Sequence, residues 1–125
     1  MKQSEARRNL GAEGEAAAAR YLEAEGYRVL ARNVRAGGVE LDLVATRGRV
    51  LAFVEVKTRR SARAGLPEEA VDARKRARLV RGAAAWVREH GTRRRQIRFD
   101  VVAVEPDGRG GLGVRHRAGA FDAGD

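Results

Sequence analysis

The chain contains no cysteine, which excludes disulfides and thiolate zinc centres. It has no apolar stretch long enough to span a bilayer. Met1-Lys2-Gln3-Ser4 lacks the apolar core of a secretory signal. A cytoplasmic protein is therefore expected. Aromatics are scarce, with one tryptophan, two tyrosines and three phenylalanines, so a base-stacking surface would have few candidates. The two histidines, His90 and His116, have no ligand partners at recognisable spacing and receive no role. Any bound metal should then be a hard cation on oxygen ligands, Mg²⁺ or Mn²⁺.

Lysine is also rare. Of 26 basic residues only Lys2, Lys57 and Lys75 are lysines. The net charge is +9 and the pI about 11.2. That balance favours a polyanionic partner, nucleic acid first and an anionic membrane second. Guanidinium forks suit phosphate oxygens, but a GC-rich genome gives the same arginine bias, and both readings stand. The 125 residues suffice for one domain with a modest core. Residues 1–10 and 117–125 are expected to be flexible.

Ala16 to Ala19, Tyr21 and Leu22 mark a helix from about Gly11 to Glu25, ended by Gly26. Gly14 weakens this helix, so a close backbone approach is expected there. Glu15 shares a stripe with Ala18, Ala19 and Leu22, which sets it beside the core-facing side. A solvated glutamate near the helix N-terminus is the plainer reading. Strands are expected at Tyr27–Val34, Val39–Ala45, Val50–Thr58 and Ile97–Val104, with a short fifth at Leu112–His116. A basic loop follows the third strand. Pro67-Glu68-Glu69 starts a helix, and a longer helix follows to about Glu89 and stops at Gly91. The order of elements implies an α/β fold with a mixed sheet of four to five strands flanked by helices.

The chemistry concentrates around Val54-Glu55-Val56-Lys57. Glu55 and Lys57 alternate onto one face of an apolar strand. Opposite charges at the end of a buried strand are costly without partners or work. Asp42 lies on the neighbouring strand, and Glu40 has the same parity. Asp42 and Glu55, with the Val56 carbonyl, could hold a divalent cation. Lys57 could orient water, and Glu15 could assist or hold a second ion. Such an arrangement suits phosphodiester hydrolysis. A strand-end ion pair is the bland alternative for Glu55 and Lys57, and an arginine-paired acid for Asp42. Arg59, Arg60 and Arg63 of the loop, with Lys75 and Arg78 of the long helix, are candidate phosphate contacts. Arg93-Arg94-Arg95 is a second basic cluster. Trp86 is expected in the core, and Asp100 to be structural, paired with an arginine.

Several segments carry a resemblance through nearly the whole chain. These are Gly11-Ala-Glu-Gly-Glu15, Gly26-Tyr27, Glu40-Leu-Asp42-Leu-Val-Ala45 and Phe53-Val-Glu55-Val-Lys57-Thr-Arg59. Gly65-Leu-Pro67, Arg98-Phe-Asp100-Val-Val102 and Ala120-Phe121 continue it. The chain resembles the YraN-like family of small bacterial proteins, similar to archaeal Holliday junction resolvases and to the restriction-endonuclease-like PD-(D/E)XK superfamily. The resemblance implies a restriction-endonuclease-like core. It sets Asp42, Glu55 and Lys57 at the superfamily's Asp and Glu-X-Lys positions, and Glu15 at the helix glutamate of the resolvase-like branch. Leu41 replaces the motif's proline. Val39 and Gly119 stand where the family usually has glycine and often has asparagine.

The expected activity is metal-dependent DNA endonuclease action on branched or single-stranded DNA, with DNA placed ahead of RNA. A C₂ homodimer would suit symmetric cutting of two strands. The rival is a non-catalytic nucleic-acid-binding module that keeps the fold. A third reading is a scaffold whose charge is incidental.

Overall fold

The computed structural model describes residues 3–61, 65–93 and 95–123, with side chains from residue 11 onward. Helix α1 (Gln3–Ala24) precedes strands β1 (Arg28–Ala36), β2 (Val39–Arg47) and β3 (Val50–Thr58). A 3₁₀ turn (Pro67–Ala70) and helix α2 (Ala73–His90) lead to β4 (Gln96–Pro106) and β5 (Leu112–Phe121). The strands form one sheet in the order β1-β2-β3-β4-β5. Neighbours are antiparallel except β3 and β4, which run parallel. The parallel pair needs a crossover, and α2 supplies it.

The sheet has a core on each face. Ala17, Ala18, Ala19 and Leu22 of α1 pack on Leu43, Ala45, Ala52, Val54, Val102 and Val104. Leu79, Ala83 and Trp86 of α2 pack on Val39, Leu41, Leu51, Phe53, Phe99 and Val101. The central strands are buried on both sides, which explains why β3 reads as a continuous apolar run.

Gly14 lets α1 lie close against β3. A Cβ built there would sit 2.1 Å from Thr58 Oγ1 and 3.2 Å from Thr58 Cβ. At Gly11, on the same helix, a Cβ would meet nothing within 4 Å. The two glycines should therefore respond with opposite signs. Overpacking costs about 1–3 kcal/mol, whereas helix propensity returns about 1 kcal/mol. Gly14→Ala is expected to destabilise and Gly11→Ala to stabilise slightly, as read by urea midpoints. A stabilised Gly14→Ala would refute the close contact.

Two expectations need correction, the start of α1 and the end of β5. Helix α1 begins at Gln3, so residues 3–10 are helical rather than frayed. The short helix expected at Pro67 is a single 3₁₀ turn, parted from the longer α2 where Val71 turns extended (φ −118°, ψ 101°) and buries its side chain. Asp72 then caps α2 anew, its carboxylate accepting from the Lys75 amide at 2.9 Å. Residues 117–121 are strand, not loose tail: β5 runs to Phe121, which is buried and stacks on Phe99 with ring centroids 5.0 Å apart. The sheet has five strands, within the four to five expected, and its fifth is about twice the expected length.

Candidate metal and nucleic-acid site

The site forms where β2 and β3 part. Their pairing ends at Leu43–Val54, while β3 stays paired with β4 as far as Thr58. Leu41 packs on the α2 side and Leu43 on the α1 side, although residues two apart on a regular strand share a face. The strand therefore turns over at Asp42. Opposite this point β1 carries Asn33 between the paired positions Arg32 and Val34, in left-handed backbone at φ 51°. Instead of a ladder bond, the Val56 amide donates to Asp42 Oδ2 at 2.8 Å. This side-chain bond holds the Asp42 carboxylate beside Glu55.

The two carboxyl groups lie in one cleft, close enough for the charge of Asp42 to act on Glu55. Burial, then the negative charge of Asp42, pushes the Glu55 carboxyl up to about 7. Lys75 and then Lys57 pull it the other way. Burial also raises Asp42, against the Val56 amide, and the charges of Glu15 and Glu40 add to the rise. Like charges in a shared, half-buried space cannot both ionise cheaply. A hard cation would relieve them. Two carboxylates fit Mg²⁺ or Mn²⁺, which complete their shell with water and phosphate oxygens. The pair opens into a cleft of about 190 Å³ lined by Glu40, Lys75, Arg78 and Leu79. Acids from β2 and β3 and cations from α2 thus line the same cleft.

Asp42 and Glu55 line one cleft, and Lys57, outside its lining, is near enough for its charge to act on Glu55. Glu15 approaches from α1, near enough for its charge to raise Asp42. It does not complete a ligand cluster. Among the described residues, no group of three or more His, Cys, Asp or Glu side chains is placed to hold a metal. Lys75 and Arg78 line the cleft. Arg59 does not face outward. It is buried, its guanidinium donating to the Gly65 and Leu66 carbonyls, the latter at 2.9 Å. It braces the loop instead of offering a free phosphate contact. Arg115 helps, donating to the same Gly65 carbonyl at 2.8 Å and to Glu105 at 2.6 Å. Arg60 is exposed. Arg63 and Arg94 lie outside the described residues.

One feature escaped the sequence reading. His116 is not idle: its Nε2 lies 2.8 Å from the fully buried Asp100 carboxylate. Arg98, two residues away on the same strand, is the arginine partner expected for Asp100. The alternation of Arg98 and Asp100 on β4 was a signal for that pair. Nothing local could have signalled His116, sixteen residues on.

The fold and cleft define a mixed-sheet α/β protein with an acidic pair facing basic side chains. The model of Uncharacterised protein family UPF0102 matches residues 14–104, and the chain belongs to that family. A UPF0102 protein of Symbiobacterium thermophilum is 51% identical over 116 residues, covering 93% of this chain and 98% of that one. A UPF0102 protein of Beutenbergia cavernae is 51% identical over 110 residues, covering 88% and 93%. A UPF0102 protein of Moorella thermoacetica is 48% identical over 116 residues, covering 92% and 97%. Among the described residues no helix is long and apolar enough to cross a membrane.

Proposed function

We propose that the chain is a metal-dependent endonuclease that hydrolyses phosphodiester bonds in DNA. The observation that carries this reading is the Asp42–Glu55 pair, held by the Val56 amide in a cleft walled by Lys75 and Arg78. A binding module would gain nothing from acids aimed at phosphate. In this reading Asp42 and Glu55 hold Mg²⁺ or Mn²⁺, and Glu15 assists from α1. Bound there, the ion supplies positive charge that offsets the charge building on the phosphate.

Lys57 shares the Glu55 face and positions the attacking water. The water oxygen forms a bond to phosphorus, the bond to the sugar oxygen breaks, and a proton passes to the leaving alkoxide. Lys75 and Arg78 clamp phosphate oxygens without reading sequence. The finer proposal is a restriction-endonuclease-like core similar to archaeal Holliday junction resolvases. It carries branched or single-stranded DNA as substrate and a C₂ homodimer as the working form.

One observation favours the rival, a non-catalytic nucleic-acid-binding module: the acids form a pair, not a larger ligand group, among the described residues. Purified protein incubated with labelled four-way junction, flap, single-stranded and duplex DNA separates the two. Cutting that requires Mg²⁺ or Mn²⁺ and is lost in Lys57→Ala is the expected result. Binding of these substrates without cutting, in either metal, would leave the binding module.

A further inference from the structure

A second concavity, of about 310 Å³, lies at the other end of the same sheet face. Helix α2 connects the two. Its first turns line the acidic cleft, and Trp86 and His90 near its C-terminus line the second pocket. At 1.5 Å per residue, Arg78 and His90 are about 18 Å apart along the helix. Arg74, Arg78, Arg81 and Arg88 of α2 fall at spacings of four, three and seven, so they form one exposed ridge along the helix.

The pocket is cationic. Arg28, Arg93 and Arg95 line it, and among the described residues no carboxylate does. None of the ion pairs among the described residues engages these three arginines. Arg93 is held in left-handed backbone at φ 51°, an arrangement an arginine adopts at a cost. The pocket also offers a flat ring. His90 Nδ1 donates to the Trp86 carbonyl at 3.0 Å, which fixes the imidazole against the indole. The ring centroids are 4.3 Å apart and the planes 20° from parallel. Trp86 is buried, as expected of a core residue, but it backs an exposed aromatic face. Guanidinium groups beside a braced aromatic ring match the two chemistries of a nucleotide, a phosphate and a planar base.

We propose that this pocket binds one nucleotide of a single strand running along α2, its phosphate on Arg28, Arg93 and Arg95 and its base on His90. The proposal rests on the reading that the partner is nucleic acid. It adds a subsite remote from the acidic pair, which anchors the strand while the cleft holds the phosphate to be cut. It also favours single-stranded ends over continuous duplex, because a paired base cannot reach the His90 face.

Trp86 is the only tryptophan and lines this pocket, so its emission responds to what binds there. The full chain, free of metal, is titrated with oligothymidine, with thymidine monophosphate and with inorganic phosphate. Affinities are taken in parallel from the anisotropy of a labelled oligothymidine. Oligothymidine should change Trp86 emission at concentrations where inorganic phosphate does not. His90→Ala should weaken oligothymidine binding roughly tenfold, with its salt dependence unchanged. Arg28→Ala and Arg95→Ala should each flatten the slope of log affinity against log salt by about 0.7.

Unchanged emission, or undiminished binding by His90→Ala, would overturn the subsite. An equal response to inorganic phosphate would make it a simple anion site and also overturn the proposal. A Trp86 response without cutting on any DNA would overturn the nuclease and leave the pocket standing. Cutting without a Trp86 response would do the reverse.

Discussion

Glu55→Gln is expected to abolish cleavage while making the metal-free protein more stable at pH 8. The two effects share one cause. Glu55 is pushed from 4.5 up to about 7, first by burial and then by the charge of Asp42. Between those values the folded chain holds a proton that the unfolded chain has released. Stability contributed by this group is therefore complete below pH 4.5 and is lost as pH rises through about 7. Glutamine carries no proton to lose, and its amide can donate to the neighbouring Asp42 carboxylate. The difference in stability between Glu55→Gln and the parent should thus grow in favour of the variant from pH 5 to pH 8.

Cleavage should fall at least a hundredfold, the order seen when one electrostatic stabiliser is removed from a hydrolytic site. Added Mg²⁺ or Mn²⁺ should raise the parent's melting temperature at pH 8, because an ion that binds only the folded state stabilises it. The same addition should leave Glu55→Gln nearly unmoved. Denaturant midpoints at pH 5 and pH 8, with and without metal, check all of this. A variant whose relative stability falls between pH 5 and pH 8 would remove the strained pair, and with it the reason for a cation there. Gaining stability by losing function is what a site built against folding preference should do.

How much of this was legible depended on distance along the chain. The hairpin of β2 and β3 was readable because β-branched runs flank the Gly48 turn, and alternation alone put Glu55 and Lys57 on one face. The core role of Trp86 followed from helical spacing with Leu79 and Ala83. The turning-over of β2 at Asp42 was not readable. Strict alternation would place Leu41 and Leu43 together, and only the tertiary packing separates them. Arg59 misled for a similar reason: an arginine in a basic loop looks free until the loop closes its carbonyls over the guanidinium. The end of β5 was hidden by Gly113 and Gly119, which interrupt any apolar pattern. Phe121 alone hinted that the tail returns to the core.

Asp100→Ala is expected to be the most destabilising single exchange in the α1-side core. Asp100 is fully buried and charged, a position tolerated only with complete pairing. Burial by itself would raise its carboxyl, but hydrogen bonds from His116, Arg98 and the Gly119 amide outweigh it and hold the group down at about 2. Arg98 donates Nε and Nη2 at 2.8 and 2.7 Å, and also bonds Tyr27 Oη. The β4–β5 pairing skips at this point, between Phe99–Phe121 and Val101–Arg117. Three residues of β5 thus oppose Asp100 alone, and its carboxylate takes the Gly119 N–H, at 3.0 Å, that the bulge leaves without a ladder partner. Removing the carboxylate strands a guanidinium, an imidazole and a backbone amide at once. Breaking a buried pair from one side costs about 3–5 kcal/mol, which for a chain of this size lowers the melting temperature by roughly 10–20 °C. The sign with pH is the reverse of Glu55. A carboxyl lowered to about 2 contributes its full stability above pH 3.8 and loses it as pH falls through about 2. Asp100→Asn should therefore lose the parent's rise in stability between pH 2 and pH 4 and gain no compensating slope at pH 7. Thermal melts across that acid range would show it. Equal melting temperatures for parent and Asp100→Asn at pH 6 would mean that β5 is held by Phe121 stacking alone.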